Sequence, residues 1–346
     1  MSISKLSREQ FGQFVDALLS AGKKVVGVVE KNGRFVFDNL KRAADLRLDY
    51  DVTILPPKKY VLPQSEPLLS FQVAGQCKSV MNAEPMILLG VHPYDLIAIS
   101  QTDKLFSEGQ YDCHYMQRRN NLTIIACDVI TPSKNVFASS METAVVRDGF
   151  DILITDVGDG LVLDVATDKG LALMSYAKGA KAATETDLAK RKAVQDENKK
   201  RLNKHKLECK VSYLPELLEK SYNHPIWAEK ARLCYSCGSC NLVCPTCYCF
   251  DVQDKVDWGL QTGMRLRCWD GCLLENFATV AGDHNFRKDR AARFRHRLYR
   301  KGWYVPEKIG GQVACVGCGR CVTACTADIA NPVAVYNQLI EDMTLG

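Results

Sequence analysis

The chain has 346 residues, of which 47% are hydrophobic and 25% charged, and its formal net charge is +5. These values are ordinary for a folded globular protein and exclude disordered, collagen-like and low-complexity chains. The length predicts two domains, and the small net charge argues neither for nor against nucleic acid. The N-terminus lacks the apolar run of a signal peptide, and no stretch approaches the roughly 18 apolar residues of a membrane span. We therefore predict a cytoplasmic protein without a membrane span.

The first 180 residues show patterns of both helices and strands. Ser7 and Gln10 form a capping-box pattern for a helix ending near Ser20. Asn32-Gly33 and Gly158–Gly160 are hairpin signals. The short runs that predict strands are Lys24–Val29, Arg34–Phe37, Met86–Val91, Leu122–Ala126, Phe150–Thr155 and Leu161–Val165. We predict a mixed α/β domain over residues 1–180, in which a sheet is covered by helices; this would be a subunit-docking domain.

The composition changes after residue 180. Residues 181–210 contain ten Lys or Arg, five Asp or Glu, and no Gly or Pro, which favours a helix. We predict a solvated helical connector over residues 181–225. No dinucleotide, nucleoside-triphosphate or hydrolase signature occurs in the sequence, so we predict no catalytic residues.

Cysteine is unusual in both number and distribution, because twelve of the sixteen cysteines lie from Cys234 to Cys325. They include two copies of the run C-x₂-C-x₂-C-x₃-C. The first copy is Cys234, Cys237, Cys240 and Cys244, and the second is Cys315, Cys318, Cys321 and Cys325. This is the bacterial ferredoxin run, in which one tight loop presents three thiolates to a [4Fe–4S] cluster. The sequence therefore predicts two [4Fe–4S] clusters.

The fourth ligand of each cluster must come from elsewhere in the chain. In two-cluster ferredoxins the fourth cysteine of each run binds the cluster of the other run. The predicted ligand sets are therefore Cys234, Cys237, Cys240 and Cys325 for one cluster, and Cys315, Cys318, Cys321 and Cys244 for the other. Two zinc sites are the alternative, but zinc usually takes two CxxC pairs or mixes His with Cys, which these runs fit poorly.

Four further cysteines lie between the two runs: Cys247, Cys249, Cys268 and Cys272. They are numerous enough for a third metal site, which would be a third iron–sulfur cluster. Alternatively, they are reduced thiols buried beside the two clusters, as free cysteine commonly is. The spacing of Cys268 and Cys272 predicts that these two share one helical face.

Residues 286–301 contain eight Lys or Arg and one Asp. This segment is interpreted as a docking surface for an acidic partner or as a source of positive potential around the clusters. A merely solvated helix is an alternative. Basic segments also bind nucleic acid, but we do not expect nucleic acid to be a partner.

Several segments resemble the iron–sulfur β subunits of cytoplasmic [NiFe] sulfhydrogenases and, equally, the corresponding iron–sulfur subunit of anaerobic sulfite reductase. The segments are Gly90–Leu96, Cys244–Val252, Trp269–Cys272, Ala281–Arg287, Ala291–Arg297 and Cys315–Cys321. The chain departs from the family at His92 and Tyr94, where relatives often have Arg and Cys. The resemblance implies that Cys247, Cys249 and Cys272 are typical of the family and that Cys268 is not.

The resemblance further implies an electron conduit. One neighbour would be a flavin/NAD(P)-binding reductase subunit, and the other a catalytic partner, such as a hydrogenase, a sulfite reductase or another terminal reductase. The predicted fold class is α+β, with a two-[4Fe–4S] ferredoxin-like, mainly α-helical C-terminal domain over residues 226–346 and an insertion at 246–313. We expect a non-catalytic electron-transfer subunit; the alternative is a reductase with its own substrate site at the inter-motif cysteines.

Overall fold

A computed structural model describes residues 2–344. The N-terminal region is built on a large mixed sheet. The strands before residue 183 are β1 (Ser2–Leu6), β2 (Val25–Lys31), β3 (Arg34–Asn39), β4 (Ser65–Gln72), β5 (Cys77–Ser79), β6 (Met86–Val91), β7 (Leu122–Cys127), β8 (Ile152–Asp156), β9 (Leu161–Val165) and β10 (Lys181–Ala182). Eight of them form one sheet in the order β10-β1-β9-β8-β7-β6-β2-β3.

The centre of this sheet is parallel and its edges are antiparallel. Strands β2, β6, β7 and β8 pair in parallel, and their near-continuous apolar runs are buried because a parallel sheet is covered on both faces. The six predicted strands and the hairpin at Asn32-Gly33 are confirmed, and both turn residues have positive φ. Strands β1, β4, β5 and β10 were not predicted, because their sequences are largely polar or very short.

The helices are α1 (Arg8–Ser20), α2 (Pro93–Ser107), α3 (Cys113–Asn121), α4 (Asp168–Met174), α5 (Glu185–Arg201), α6 (Leu214–Lys220), α7 (Ile226–Leu233), α8 (Ser239–Leu242), α9 (Arg290–Tyr299), α10 (Val305–Ile309), α11 (Arg320–Thr323) and α12 (Pro332–Thr344). The predicted capping box of α1 is present. Within residues 2–344, no helix combines the length and the apolar character that crossing a bilayer requires.

Helix α5 lies in the predicted connector. It contacts the sheet through polar side chains: Arg191 pairs with Asp164 at 2.6 Å, and Gln195 donates to Asp128 at 3.1 Å. These polar contacts explain how a helix with little apolar surface can still be held against the sheet.

A second sheet joins the inter-motif segment to the N-terminal region. Strands β11 (Phe250–Val256) and β12 (Thr262–Trp269) form a hairpin, and β12 pairs with β4, giving the antiparallel order β11-β12-β4-β5. A short ribbon follows, formed by β13 (Thr279–Val280) and β14 (His284–Asn285). The pairing of β12 with β4 joins residues on both sides of the predicted boundaries at residues 180 and 225. These boundaries remain predictions.

One local prediction in this segment is wrong. Cys268 and Cys272 do not share a helical face, because Cys268 lies in β12 and Cys272 lies in the turn that follows Gly271. Cys268 instead pairs with Asp251 of β11 and with Ser65 of β4 in an antiparallel sheet, and the strand ends at Trp269, before Cys272.

The α+β fold class is confirmed. The C-terminal region packs α6, α7, α9 and α12 around Trp227 and Tyr336, both almost fully buried. Cys240 and Cys321, one from each cysteine run, belong to the same core. The two runs are therefore folded into one body with the apolar centre of this region.

Candidate metal centres

The two cysteine runs have the same backbone conformation. In the first loop Ser236 and Gly238 adopt left-handed φ values of 54° and 72°, and in the second Gly317 and Gly319 have 64° and 77°. Each loop leads directly into a four-residue helix, α8 or α11, which carries the third cysteine. The repeated spacing in the sequence thus produces a repeated fold of the chain.

The second loop is pressed against the N-terminal region. An added Cβ at Gly317 would lie 2.5 Å from the Phe137 carbonyl oxygen, and one at Gly319 would lie 2.3 Å from that of Asn135. The Phe137 amide also donates to the Gly317 carbonyl at 2.7 Å. Glycine is needed at both positions, since the backbone conformation and the close approach leave no room for a side chain.

The first loop surrounds a cavity. Cys234, Cys237 and Cys240 line it together with Cys325, the last cysteine of the second run. The remaining wall is largely apolar and includes Phe294. The fold therefore brings together the four cysteines that the crossed rule assigned to one cluster. Cys237 is the exposed member, whereas Cys240 is buried.

The thiols of the second loop lie deeper. Burial raises the pKa of the Cys315 thiol to about 12, and the nearby Cys321 and Cys244 thiols act in the same direction. The Cys244 thiol also raises the pKa of Cys318 and of Cys321. Cys244, the last cysteine of the first run, is therefore close enough to all three cysteines of the second loop to raise their pKa values. Because burial raises the pKa of Cys315, Cys318 and Cys321, these three thiols are expected to lose their protons when they bind a metal centre.

Both loops lie within residues 233–329, which match the protein-family model described as "4Fe-4S dicluster domain". Sulfhydrogenase 2 subunit beta of Pyrococcus furiosus is 33% identical to this chain over 344 residues, which is 99% of the chain and 100% of the relative. The chain belongs to the sulfhydrogenase beta-subunit family. With its dicluster domain it carries two [4Fe–4S] clusters and is an iron–sulfur electron-transfer subunit.

The residues of this sulfhydrogenase beta-subunit homologue fit clusters better than single ions. Among residues 2–344, no three His, Cys, Asp or Glu side chains converge closely enough to hold one metal ion, and this includes both loops. Thiolates that share a zinc ion all lie about 2.3 Å from it. A cubane cluster is larger than a single ion, so the thiols that bind it stand further apart.

Buried cations lie beside the thiols. Arg297 and Lys301 are 3% and 9% exposed, and the charges of nearby cysteines favour their protonated forms against the cost of burial. For Arg297 these cysteines include Cys240 and Cys321, one from each loop. None of the ion pairs found within residues 2–344 involves Arg297 or Lys301, and Nε and Nη1 of Arg297 have no partner there. Clusters held by thiolates would supply the missing negative charge.

The burial of these basic side chains beside the cysteines was only partly predicted. The basic segment 286–301 was interpreted as a docking surface, a source of positive potential or a solvated helix. In the structure some of its basic side chains are buried and others are exposed to solvent. Arg293, Arg297 and Lys301 are buried, whereas Lys288 and Arg290 are exposed. The four-residue spacing of the three buried cations marks one face of α9 and of the π-helical segment Arg300–Tyr304 that continues it. This spacing is the signal that could have identified them. Nothing in the sequence pointed to Lys58, which is also buried and donates to the Cys247 carbonyl at 2.5 Å.

We expect replacement of Arg297 by glutamine to make the reduction potential of the clusters more negative. A cation favours the added electron, and a unit charge about 8 Å away through an effective dielectric constant of about 20 contributes roughly 2 kcal/mol, or about 80 mV for one electron. Potentiometric titration monitored by electron paramagnetic resonance (EPR) measures the shift.

Arg295→Gln is the matched control. Arg295 lies on the same helix, but it is half-exposed and stacks on Tyr222 at 3.7 Å, so solvent and salt screen its charge. Equal shifts in both variants would show that the position of Arg297 between the loops has no special effect.

The three inter-motif cysteines implied by the resemblance are close together. Cys247, Cys249 and Cys272 are buried and form one contact cluster, to which Cys244 and Phe277 are added at its edge. Cys268 is apart from them, with its Sγ 3.4 Å from the Ser65 hydroxyl. His92 and Tyr94, where the chain departs from the family, are buried, and the His92 Nδ1 atom is hydrogen-bonded to the Tyr94 hydroxyl at 2.6 Å.

Proposed function

We propose that this subunit relays electrons one at a time between a flavin/NAD(P)-binding reductase and a catalytic partner such as a hydrogenase or a sulfite reductase. The observation that carries the proposal is the cavity lined by Cys325 together with three cysteines of the first loop. It supports a two-cluster arrangement in which the loops share ligands and so hold the two centres close to each other. The absence of nucleotide and hydrolase signatures in the sequence is consistent with a conduit.

We further propose which cysteines bind each of the two clusters. Cys234, Cys237, Cys240 and Cys325 hold the first cluster, and Cys315, Cys318, Cys321 and Cys244 hold the second. Each cluster, when bound, supplies a site for one electron. The chain gives up the thiol protons, wraps each site with a glycine-containing loop, and provides Arg297 and Lys301 as buried counter-charges.

The two proposed cluster sites differ in their access to solvent, and this difference supports a proposal for which surface each partner contacts. Cys237 is exposed, and the neighbouring Tyr235 is 74% exposed. The second loop is instead covered by Phe137 and Asn135 of the N-terminal region. We therefore assign the surface around Tyr235 to one redox partner, and residues 1–180 to docking of another subunit.

The hydrogenase partner is proposed because the similar protein is named a sulfhydrogenase beta subunit. The test is a reconstituted assay with the partner subunits that copurify from native cells under anaerobic conditions. We expect transfer from NAD(P)H to the catalytic subunit to require this chain and to fail with Cys237→Ser. An exchange of an exposed thiol outside the loops, Cys77→Ser, serves as the control. A rate that does not depend on this chain would contradict the relay.

A reductase with its own site at the inter-motif cysteines is the alternative. Cys247, Cys249 and Cys272 are each less than a tenth exposed, which does not favour access by a substrate. Turnover by the isolated chain with an artificial electron donor would support this alternative instead. Nucleic-acid binding is not favoured either, because Arg293, Arg297 and Lys301 face the interior.

A further inference from the structure

We propose that Cys247, Cys249 and Cys272 hold a third iron–sulfur cluster through three thiolate ligands. The three side chains come from two separate parts of the inter-motif segment and meet in one buried group. Cys249 is the middle member, because its thiol interacts with those of both Cys247 and Cys272. None of the three belongs to the two proposed ligand sets, so the inference goes beyond the two-cluster relay.

The surroundings of the three thiols carry positive charge without matching carboxylates. Lys58 lies 4.2 Å from the centre of the Trp269 ring and donates to the Cys247 carbonyl. Arg300 lies over the Tyr248 ring at 4.6 Å, and its Nη2 atom has no hydrogen-bond partner within the described residues. Across residues 2–344, neither cation takes part in an ion pair.

This arrangement is costly if the thiols stay neutral. A buried cation whose only partners are aromatic rings and a carbonyl group remains uncompensated. Three thiolates around an iron–sulfur core would place negative charge between Lys58 and Arg300. Loading the site therefore releases three thiol protons and offsets part of the positive charge of the two cations.

A polar side chain is also aimed at the sulfur atoms. Asn241 is 2% exposed, and its Nδ2 atom lies 3.3 Å from Cys272 Sγ and 3.9 Å from Cys247 Sγ. Its Oδ1 atom has no partner among the described residues. An amide donating to two ligand sulfurs would stabilise their thiolate forms.

Such a site lies beside the two loops. Asn241 is part of α8, directly after Cys240 of the first loop, and Cys244 adjoins the three thiols. A third centre would extend the relay from the loops toward the base of the β11–β12 hairpin, which begins at Phe250, directly after Cys249.

The test begins with iron, sulfide and zinc counts on the wild-type chain, purified anaerobically within its native complex and then separated. Two clusters give about eight irons, and the third adds three or four. We expect about eleven or twelve irons and almost no zinc. A count near eight, or zinc in place of the extra iron, overturns the third cluster but leaves the two-cluster relay intact. A count near four or below would contradict the relay itself.

Variants locate the extra iron. Cys249→Ser and Cys272→Ser should each lose about a third of the iron while keeping about eight atoms and the EPR spectrum of the loop clusters. Cys268→Ser is the matched control, because Cys268 lies four residues before Cys272 but bonds to Ser65, and it should lose none. Equal iron in all three variants overturns the assignment. Should the ligand variants fail to fold, the wild-type count still decides between two and three clusters.

Discussion

Replacing Cys325 by serine is expected to remove the cluster of the first loop, although Cys325 belongs to the second cysteine run. The reason is that Cys325 lines the same cavity as Cys234, Cys237 and Cys240. Serine is a poor ligand for iron in these centres, so about four iron atoms should be lost. Electron transfer through the complex should stop. Conversely, Cys244→Ser should remove the cluster of the second loop.

The comparison that tests the crossed ligands uses two pairs of variants. Cys325→Ser and Cys237→Ser should lose the same EPR signal, and Cys244→Ser and Cys318→Ser should lose the other. An uncrossed arrangement makes the opposite prediction, because Cys325→Ser would then match Cys318→Ser. Cys77→Ser, which alters an exposed thiol far along the chain, should leave both signals in place.

Replacing Asp95 by alanine is expected to destabilise the protein by about 3–5 kcal/mol. The Asp95 carboxylate, at the start of α2, accepts two hydrogen bonds from Arg320 of α11, at 2.6 and 2.7 Å. Both side chains are almost fully buried. Removal of one partner leaves a buried guanidinium unpaired, which is the costly way to break a buried ion pair. Denaturant unfolding of the anaerobic protein, followed by circular dichroism, measures the loss.

Replacing Asp95 by alanine should also disturb the second cysteine loop. Arg320 lies between Cys318 and Cys321, so an unpaired Arg320 should loosen the loop from the N-terminal region and lower its iron content. The control is Glu216→Ala, which breaks the exposed pair with Lys220 at 2.6 Å and should cost less than about 1 kcal/mol. A similar loss of stability in both variants would contradict the role given to the buried pair.

The inter-motif hairpin illustrates where reading by pattern failed. Phe250, Val252 and Val256 stand at alternate positions among polar residues, but residues 250–256 are exposed along their whole length, so neither face of this strand is buried in a core. Their strand conformation depends on the pairing of β12 with β4, about 200 residues away in the chain. In the N-terminal sheet the opposite holds, since β6 and β9 have the predicted bounds because buried apolar runs and flanking turn residues define them locally.

The amino-acid sequence by itself determined the cysteine runs, the presence of two clusters, the capping box of α1 and the central strands. These features depend on residues that are close together in the chain, and their spacing is visible in the printed sequence. Only the tertiary structure decided that Arg297 and Lys58 are buried beside thiols, and that Asp95 pairs with Arg320. The contacts of Lys58 with Cys247 and of Asp95 with Arg320 join residues 189 and 225 positions apart. No local pattern encodes such pairs, because they form only when the two regions of the chain pack together.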